Sequence, residues 1–357
     1  MGTDSRHTFL VTGGSGYLAG WIIKYLLDDG HRVRATVRDK NNRAKVAHLM
    51  EIASGARESF ALFEADLLRP GSFDEAVQGC DFVIHTASPF FIQGIKNSKA
   101  QLIGPALEGT RNVLGAVNAA SSVKRVVLTS SCVAVMSDPV EIRAVPGGKC
   151  TEAVWNTTAD EKHHPYAYSK TLAEQEAWRI AEQQDRWSLV TVNPGFAIGP
   201  SLSKRIDSTS IQFMIDLFSG KFKTGILNMY MGFVDVRDAA RAHILAALKP
   251  EASGRHLLVA DTLSYLAFVD LLRKRYAAAY PLPKRNLPAF LSYMLGPFLG
   301  FSWKMLRGSL GIPFAYDNAY AKQDLGVTFR PLEETAADHI DQLIRDGLLK
   351  RMGKKPA

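Results

Sequence analysis

A short apolar run that turns on closely spaced glycines stands near the start of the chain and constrains its fold more than any other stretch. Thr8 to Thr12 predicts a buried strand, the glycines that follow it a tight turn, and Gly16 to Asp29 an amphipathic helix. Glycines at such a turn let the backbone approach a pyrophosphate, and the N–H groups at the helix start favour its negative charge. The letters GGSGYLA at 13–19 fit two dinucleotide-binding spacings, with Ala19 in place of the third glycine. This turn predicts a dinucleotide site.

Strand-like and helix-like segments alternate after this turn until Pro194. Such alternation implies right-handed crossovers, so we predict an α/β fold with a Rossmann-type doubly wound parallel sheet of about six or seven strands. Beyond Pro194 the alternation breaks, and strand-like Met231 to Val234 and His256 to Val259 then return toward the sheet. We therefore expect a nucleotide-binding domain from 1–196, with 233–262 returning to it. Residues 197–232 and 263–357 are expected to form a smaller, interleaved C-terminal substrate lobe.

The composition indicates a globular enzyme, with neither nucleic acid nor membrane as a partner. Hydrophobic residues make up 46% and charged residues 22% of the 357, and the net charge of +8 is scattered except for a C-terminal basic cluster at 350–355. The apolar stretch Pro288 to Trp303 is cut by Pro297 and is shorter than the ~20 residues of a spanning helix, so we expect it to cover a pocket or pack on the core. The cysteines have no CxxC spacing and residues 1–8 have no apolar secretion core, which predicts a cytoplasmic location.

The end of the second predicted strand indicates which dinucleotide to expect. An acidic residue there usually holds the ribose hydroxyls of NAD, whereas an arginine accommodates the extra phosphate of NADP. Arg38 stands at this position and Lys45 near the start of the next helix, so a guanidinium fork and an added point charge favour NADP(H). Asp39 beside Arg38 keeps NAD open as an alternative. Asp66, after the third strand, would lie beside the adenine ring or would cap a turn.

Tyr166 and Lys170 lie on one face of a predicted helix, because their spacing is i, i+4. A tyrosine has a pKa of about 10, and a nearby cation is expected to lower it. The phenol could then exchange a proton with a carbonyl or alcohol oxygen while hydride passes to or from a nicotinamide. Ser131 follows an apolar strand whose carboxyl end should face the cofactor cleft. It could hydrogen-bond the substrate oxygen or satisfy backbone groups where the strand ends.

Motifs that occur in order along the chain resemble those of the extended short-chain dehydrogenases/reductases. They include VTGGSGYLAGW, GCDFVIHTASPF, VVLTSSCVAV, YAYSKTLAEQEAW and VNPGFAIGPSL, and the resemblance covers about Phe9 to Ala247. The likeness is greatest to the branch of dihydroflavonol reductases, cinnamoyl-CoA reductases and yeast-type aldehyde and ketone reductases. It implies an NADPH-dependent carbonyl reductase with Tyr166 as proton donor. Ser131, Lys170 and Asn112 would complete the catalytic set, Asn112 through a water relay to the lysine or else as an ordinary helix-face amide.

The resemblance, together with the kinds of side chain present, implies which residues hold the cofactor and the substrate. NADP(H) contacts are expected from Thr12, Gly13, Ser15, Gly16, Tyr17, Leu18, Arg38, Lys45, Asp66, Leu67, Thr86, Ala87, Ser88, Tyr166, Lys170, Pro194 and Phe196. An apolar carbonyl compound, aromatic or of medium aliphatic length, would contact Phe90, Met136, Phe196 and Met214. Met136 stands where flavonoid reductases carry a polar residue, which disfavours a plant flavonoid substrate.

Other assignments stay open at this point. His163-His164-Pro165 has no third ligand at metal spacing, so no metal site is predicted. A sterol dehydrogenase or a sugar-nucleotide epimerase/dehydratase of the same superfamily is an alternative, and a sugar diphosphate would need cations. The second lobe offers Lys204, Arg205, Lys221 and Lys223. A non-catalytic NADP sensor is a further alternative, which the retained tyrosine-lysine pair disfavours. We expect a small-molecule carbonyl substrate and a monomer or homodimer.

Overall fold

The structure, a computed structural model, describes residues 6–88 and 97–349. Its strands are β1 (Thr8–Thr12), β2 (Arg32–Val37), β3 (Phe60–Glu64), β4 (Phe82–His85), β5 (Arg125–Thr129), β6 (Ser188–Pro194), β7 (Phe196–Ile198), β8 (Tyr230–Asp235), β9 (Gly254–Leu258) and β10 (Asp261–Ser264). Its helices are α1 (Tyr17–Asp28), α2 (Arg43–Ile52), α3 (Asp74–Val77), α4 (Gly104–Ala119), α5 (Pro165–Ala181), α6 (Thr209–Phe218), α7 (Val236–Leu248), α8 (Tyr265–Tyr276), α9 (Ala289–Leu295), α10 (Trp303–Ser309) and α11 (Leu332–Arg345).

The main sheet has seven strands in the order β3-β2-β1-β4-β5-β6-β9. Every neighbouring pair in it runs parallel. The strand order reverses between β1 and β4, so the carboxyl ends of these strands open the crevice in which doubly wound folds bind ligands. The predicted α/β doubly wound fold is confirmed.

Strand residues alternate between two cores, one on each face of the main sheet. Val11 and Ile84 pack with α1 and α7 on one face, whereas Leu10 and Val83 pack with α4 on the other. All of these side chains have 0% exposure. Burial of both faces explains why the strands are nearly continuous apolar runs in the sequence. Each such side chain stabilises the fold by about 1.5–3 kcal/mol.

A second sheet has three strands in the order β10-β8-β7. The prediction that Met231 to Val234 returns to the main sheet is wrong, because β8 pairs with β7 in parallel and with β10 in antiparallel. Strand β9 does return, beside β6. Glycines permit the close approach of the backbone after β6 to β8, since a Cβ on Gly195 would lie 2.5 Å from the carbonyl oxygen of Gly232. Helices α6, α8 and α11 pack on this sheet around Phe233 and Phe268.

The apolar stretch Pro288 to Trp303 forms α9 and the entry to α10. The expectation that it packs on the core holds only for its inner side, where Tyr293 contacts a small cluster shared with α10. Its outer side leaves Phe290 69%, Phe298 88% and Trp303 61% exposed. Among the described residues, no helix is both long and apolar enough to cross a membrane.

Candidate active site

The glycine turn lies against the end of β4. Gly13 has a φ of 68°, and a Cβ there would lie 2.9 Å from the Cα of Ala87. The N–H of Gly14 donates to the carbonyl of Thr36 at 2.8 Å, and that of Gly16 to the carbonyl of Gly13 at 2.9 Å. Gly16, the N-cap of α1, offers no side-chain oxygen to the first N–H groups of the helix. These groups and the close-packed glycines fit a bound pyrophosphate.

Thr12 ties the ends of β1 and β4 together. Its Oγ1 lies 2.8 Å from Nδ1 of His85 and accepts a hydrogen bond from the N–H of Ala87 at 3.1 Å. The hydroxyl of Thr86 donates to the carbonyl of Thr12 at 2.6 Å. Burial lowers the pKa of His85 to about 3, so the ring is neutral near pH 7. The segment that begins at Thr86 and continues through Ser88 is thereby held next to the glycine turn.

Cations from separate parts of the chain surround a small cavity beside this turn. The cavity has a volume of about 80 Å³ and is lined by Ser15, Val37, Arg38, Asp39, Asn42, Lys45 and Arg205. Arg38 and Lys45 are predicted from the sequence as a phosphate-binding pair, and the structure brings them together. Arg205, counted above among the substrate-lobe cations, lies here instead. A cavity of this size and charge fits a phosphate group.

Ser131, Tyr166 and Lys170 come together at the carboxyl end of β5. Ser131 follows the strand, and its Oγ accepts a hydrogen bond from the N–H of Val133 at 3.3 Å. The first turn of α5 presents Tyr166, which is hydrogen-bonded to Ser131. One turn later the Nζ of Lys170 donates to the carbonyl of Thr129 at 3.3 Å. A hydroxyl, a phenol and an ammonium thus meet at the sheet edge where doubly wound folds bind ligands.

Burial sets the acidity of the phenol and the ammonium. It raises the pKa of Tyr166 above the ordinary value, and the hydrogen bond to Ser131 offsets this only in part. The prediction of a lowered Tyr166 pKa is therefore wrong for this structure, because desolvation penalises the phenolate more than its surroundings stabilise it. Burial also lowers the pKa of Lys170 to about 8, and Glu174 opposes that shift. Near pH 7 the phenol holds its proton and most of the lysine is charged.

A buried carboxylate, absent from the sequence-based predictions, lies one helical turn beyond the lysine. Glu174 has 0% exposure. Its carboxylate accepts hydrogen bonds from the hydroxyl of Ser130 at 2.5 Å and from that of Thr191 at 3.0 Å. It also accepts from the side-chain amide of Asn193 at 2.9 Å and from the guanidinium of Arg255 at 2.7 Å. These donors come from the end of β5, from β6 and from β9, so Glu174 ties α5 to the sheet. Its i, i+4 spacing from the lysine is the sequence signal that could indicate it.

Asn112 contacts the segment at Asp66 and Leu67, which follows β3 and is predicted to lie beside the adenine of the cofactor. Its Nδ2 donates to the carbonyl of Leu67 at 2.7 Å. Gly109 makes room for this segment, since a Cβ there would lie 2.9 Å from the Cδ2 of Leu67. Asp66 accepts a hydrogen bond from the N–H of Leu68 at 2.8 Å and so caps a turn, the alternative left open above. The role of Asn112 in a water relay stays a prediction.

Two side chains predicted to contact substrate are buried in packed cores. Met136 is 2% exposed, with its Sδ 3.9 Å from the Sγ of Cys150, and Met214 is 0% exposed beneath the second sheet. Their contact with substrate stays a prediction. Phe196 is partly buried and meets a phenylalanine of α6 edge-on. Phe90 lies outside the described residues.

All three cysteines, Cys80, Cys132 and Cys150, are free and buried. Burial raises the thiol pKa to about 11 for Cys80 and Cys132 and to about 12 for Cys150. A thiolate is the nucleophilic form, so Cys132 is a packing residue although it is next to Ser131.

A carboxylate and two imidazoles lie just ahead of α5. The Nε2 atoms of His163 and His164 lie 2.6 Å and 2.9 Å from different carboxylate oxygens of Asp138. The sequence-based statement that no third ligand accompanies the histidines is wrong, since Asp138 reaches them from a distant loop and the three ligand atoms lie within 4.8 Å of one another. Donation by each imidazole to the carboxylate accounts for the cluster without an ion. His164, the residue directly before α5, has a left-handed backbone conformation, with a φ of 53°. The absence of a metal site stays a prediction.

Comparison with known proteins identifies the class to which this site belongs. The chain belongs to the NAD dependent epimerase/dehydratase family, whose model matches residues 9–260. The resemblance to the extended short-chain dehydrogenases/reductases is thereby confirmed.

Individual relatives are reductases. The chain is 38% identical over 336 residues to a cinnamoyl-CoA reductase of Medicago truncatula, covering 93% of this chain and 94% of that protein. It is also 38% identical over 343 residues to tetraketide alpha-pyrone reductase 1 of Arabidopsis thaliana, covering 95% and 96% of the two chains. The crystal structure of yeast methylglyoxal/isovaleraldehyde reductase Gre2 complexed with NADPH matches with a TM-score of 0.78 at 27% identity, over 95% of this chain and 99% of that one.

Proposed function

We propose that this chain is an NADPH-dependent carbonyl reductase that converts an apolar aldehyde or ketone into an alcohol. Its family and its reductase relatives make it an NADP-dependent oxidoreductase. The observation that carries the proposal is the meeting of Ser131, Tyr166 and Lys170 at the carboxyl end of β5, on the sheet edge that also holds the glycine turn.

Each of these side chains has a task in carbonyl reduction. NADPH, when bound, supplies the hydride for the carbonyl carbon. The phenol of Tyr166, protonated because burial raises its pKa, gives its proton to the carbonyl oxygen. The hydroxyl of Ser131 donates a hydrogen bond to the same oxygen and stabilises the negative charge that develops there. The ammonium of Lys170 holds the nicotinamide ribose and keeps this edge of the sheet positive.

The proposed substrate is an aromatic or medium aliphatic carbonyl compound. The solved relative is named for methylglyoxal and isovaleraldehyde, and a plant relative for cinnamoyl-CoA. We place cofactor binding in 1–196 with 233–262, and substrate binding in 197–232 with 263–357. The sugar-nucleotide alternative loses support, because Arg205 lies against the carbonyl of Ser15 at 2.9 Å, by the cofactor cavity. A cytoplasmic location and a monomeric or homodimeric state belong to the same proposal.

Oxidation of NADPH, followed by its absorbance, tests this function. The panel is aromatic and aliphatic aldehydes, ketones, β-ketoesters and diketones, with NADH in parallel. Turnover of apolar carbonyls with NADPH is the expected result. Tight NADPH binding without turnover of any member would move the assignment to an epimerase, a sterol dehydrogenase or a sensor.

Arg38→Ala is expected to weaken NADPH binding by about 10- to 100-fold, because a charge-assisted hydrogen bond contributes about 1.5–3 kcal/mol. NADH lacks the 2′-phosphate, so its binding should weaken by less than about twofold. Arg38 lines the cavity beside Lys45. Equilibrium titration with both cofactors measures the effect. Arg43→Ala, an exposed cation outside the cavity wall, is the matched control. Equal losses for the two cofactors would show that Arg38 stacks on adenine instead.

The pH dependence of kcat/KM for reduction should show an alkaline limb near pH 8. Burial lowers the pKa of Lys170 to about 8, and the charged form is the one proposed to act, so activity is present below that pH and falls as the pH rises through it. The pKa of Tyr166 is raised, so the phenol stays protonated through this range. A Lys170→Arg variant, whose side chain stays charged, should retain reduced activity without this limb. A profile for the unmodified protein that stays flat beyond pH 9 would contradict this assignment.

A further inference from the structure

Arg205 reaches the cofactor cavity from the other lobe of the molecule. It lies in the segment 199–208 between β7 and α6, whereas Arg38 and Lys45 follow β2. Its Nη1 donates a hydrogen bond to the carbonyl of Ser15 within the glycine turn at 2.9 Å. We propose that Arg205 is a third ligand of the 2′-phosphate of NADP(H) and so helps this chain to select NADP(H) over NAD(H). This inference rests on the cofactor assigned under the proposed function.

Two carboxylates near the cavity oppose the charges of Arg38 and Lys45. Asp39 forms part of the cavity wall. Asp207 lies close by, since the pKa of its carboxyl is lowered first by a hydrogen bond with Arg205 and further by the charge of Lys45. Two carboxylates thus cancel the charges of Arg38 and Lys45, and Arg205 makes the sum positive. A 2′-phosphate carries about −1.5 to −2 charges near pH 7, so this added charge favours its binding.

The backbone that carries Arg205 is held by the first helix of the nucleotide-binding half. The hydroxyl of Tyr17 donates to the carbonyl of Gly199 at 2.5 Å, and the indole of Trp21 donates to the carbonyl of Pro200 at 2.8 Å. Both donors lie on α1, directly after the glycine turn. The guanidinium of Arg205 is therefore presented to the cavity from a fixed segment.

Asp207 occupies the guanidinium fork of Arg205 in this structure. The Nε of Arg205 donates to Oδ1 of Asp207 at 3.0 Å, and its Nη2 donates to Oδ2. The side chain of Asp207 is 61% exposed and that of Arg205 27% exposed. Because Asp207 is so exposed, its carboxylate can turn to solvent when a phosphate takes the fork. Asp207 thus competes with the phosphate for the same donors.

Binding of 2′,5′-ADP and of 5′-AMP tests the inference, since the two nucleotides differ only in the 2′-phosphate. Isothermal titration of the full chain with each gives the ratio of their dissociation constants. Arg205→Ala is expected to weaken 2′,5′-ADP about tenfold and 5′-AMP less than about twofold. Lys204→Ala, at an adjacent exposed cation outside the cavity, should change neither.

The outcomes distinguish a failure of the proposed role of Arg205 from a failure of the NADP(H) assignment. Equal binding of the two nucleotides by the unmodified protein would overturn the assignment of NADP(H) itself. If the unmodified protein prefers 2′,5′-ADP and Arg205→Ala leaves that preference unchanged, the proposed role of Arg205 is wrong. Equal losses of affinity for the two nucleotides would also overturn it and would leave Arg205 only as a hydrogen-bond donor to the glycine turn. Asp207→Asn keeps the shape of the competing side chain and removes its charge, so it should tighten 2′,5′-ADP about threefold. Unchanged or weaker binding in that variant would contradict the inference even if Arg205→Ala did not fold.

Discussion

Replacing Tyr166 by phenylalanine is expected to lower kcat for carbonyl reduction by about a thousandfold, within the range that a positioned general acid contributes. The substitution removes one oxygen atom and leaves the ring on α5. Because burial keeps the proton on the phenol near pH 7, Tyr166 is the proposed proton donor beside Ser131. Steady-state rates of NADPH oxidation with the best carbonyl substrate measure the loss.

Cofactor affinity in the same variant separates catalysis from binding. The dissociation constant for NADPH should stay within about twofold of its original value, since the phosphates and the adenosine are held elsewhere. Tyr168→Phe is the matched control, because residues i and i+2 do not share a helix face, and its kcat should change by less than about twofold. A Tyr166→Phe variant that reduces carbonyls at the original rate would remove the phenol from the mechanism.

Glu174→Ala is expected to lower the free energy of unfolding by about 3–5 kcal/mol, the loss typical when one partner of a buried ion pair is removed. Arg255 is 8% exposed and would keep its charge. Its remaining partners are the carbonyls of Glu152, Val154 and Ala134 at 2.7 Å, 2.6 Å and 3.5 Å and the ring of Trp155 at 3.7 Å. These do not neutralise a guanidinium. Urea and thermal unfolding measure the change.

Further variants separate charge from shape at this position. Glu174→Gln keeps the size of the side chain, so its loss of stability should be smaller than that of Glu174→Ala. Adding Arg255→Leu to Glu174→Ala removes both charges and should recover part of the loss, because apolar replacements of buried pairs are often nearly neutral. Since Glu174 raises the pKa of Lys170, the alkaline limb of Glu174→Gln should move to lower pH. Unchanged stability of Glu174→Ala would show that the ion pair contributes nothing net.

Features that depend on residues close together in the chain could be predicted from the sequence. The glycine turn, the alternation of strands and helices and the pairing of Tyr166 with Lys170 each follow from spacings of a few residues. The second cation, Lys45, is likewise near Arg38, and the structure places both on one cavity. Local spacing therefore predicted the sheet and the centre of the candidate site.

Features that depend on contacts between residues far apart in the chain could not be predicted from the sequence. Arg205 meets Ser15 across 190 residues, and Arg255 meets Glu174 across 81. No local pattern indicates such a partner. The place of Met136 could not be predicted for a different reason: an apolar side chain suits a packed core and an apolar cleft equally well, so residue type alone does not distinguish them.

The buried thiols limit where covalent chemistry can occur on this molecule. With a pKa of about 11 for Cys80 and Cys132 and about 12 for Cys150, about one thiol in a thousand or fewer is ionised near pH 8. Alkylating reagents attack the ionised form, and they must also reach it. Labelling therefore proceeds through molecules that have opened locally. Because Cys132 adjoins Ser131, its labelling rate records how often the chain opens around the hydroxyl that is proposed to contact the substrate oxygen.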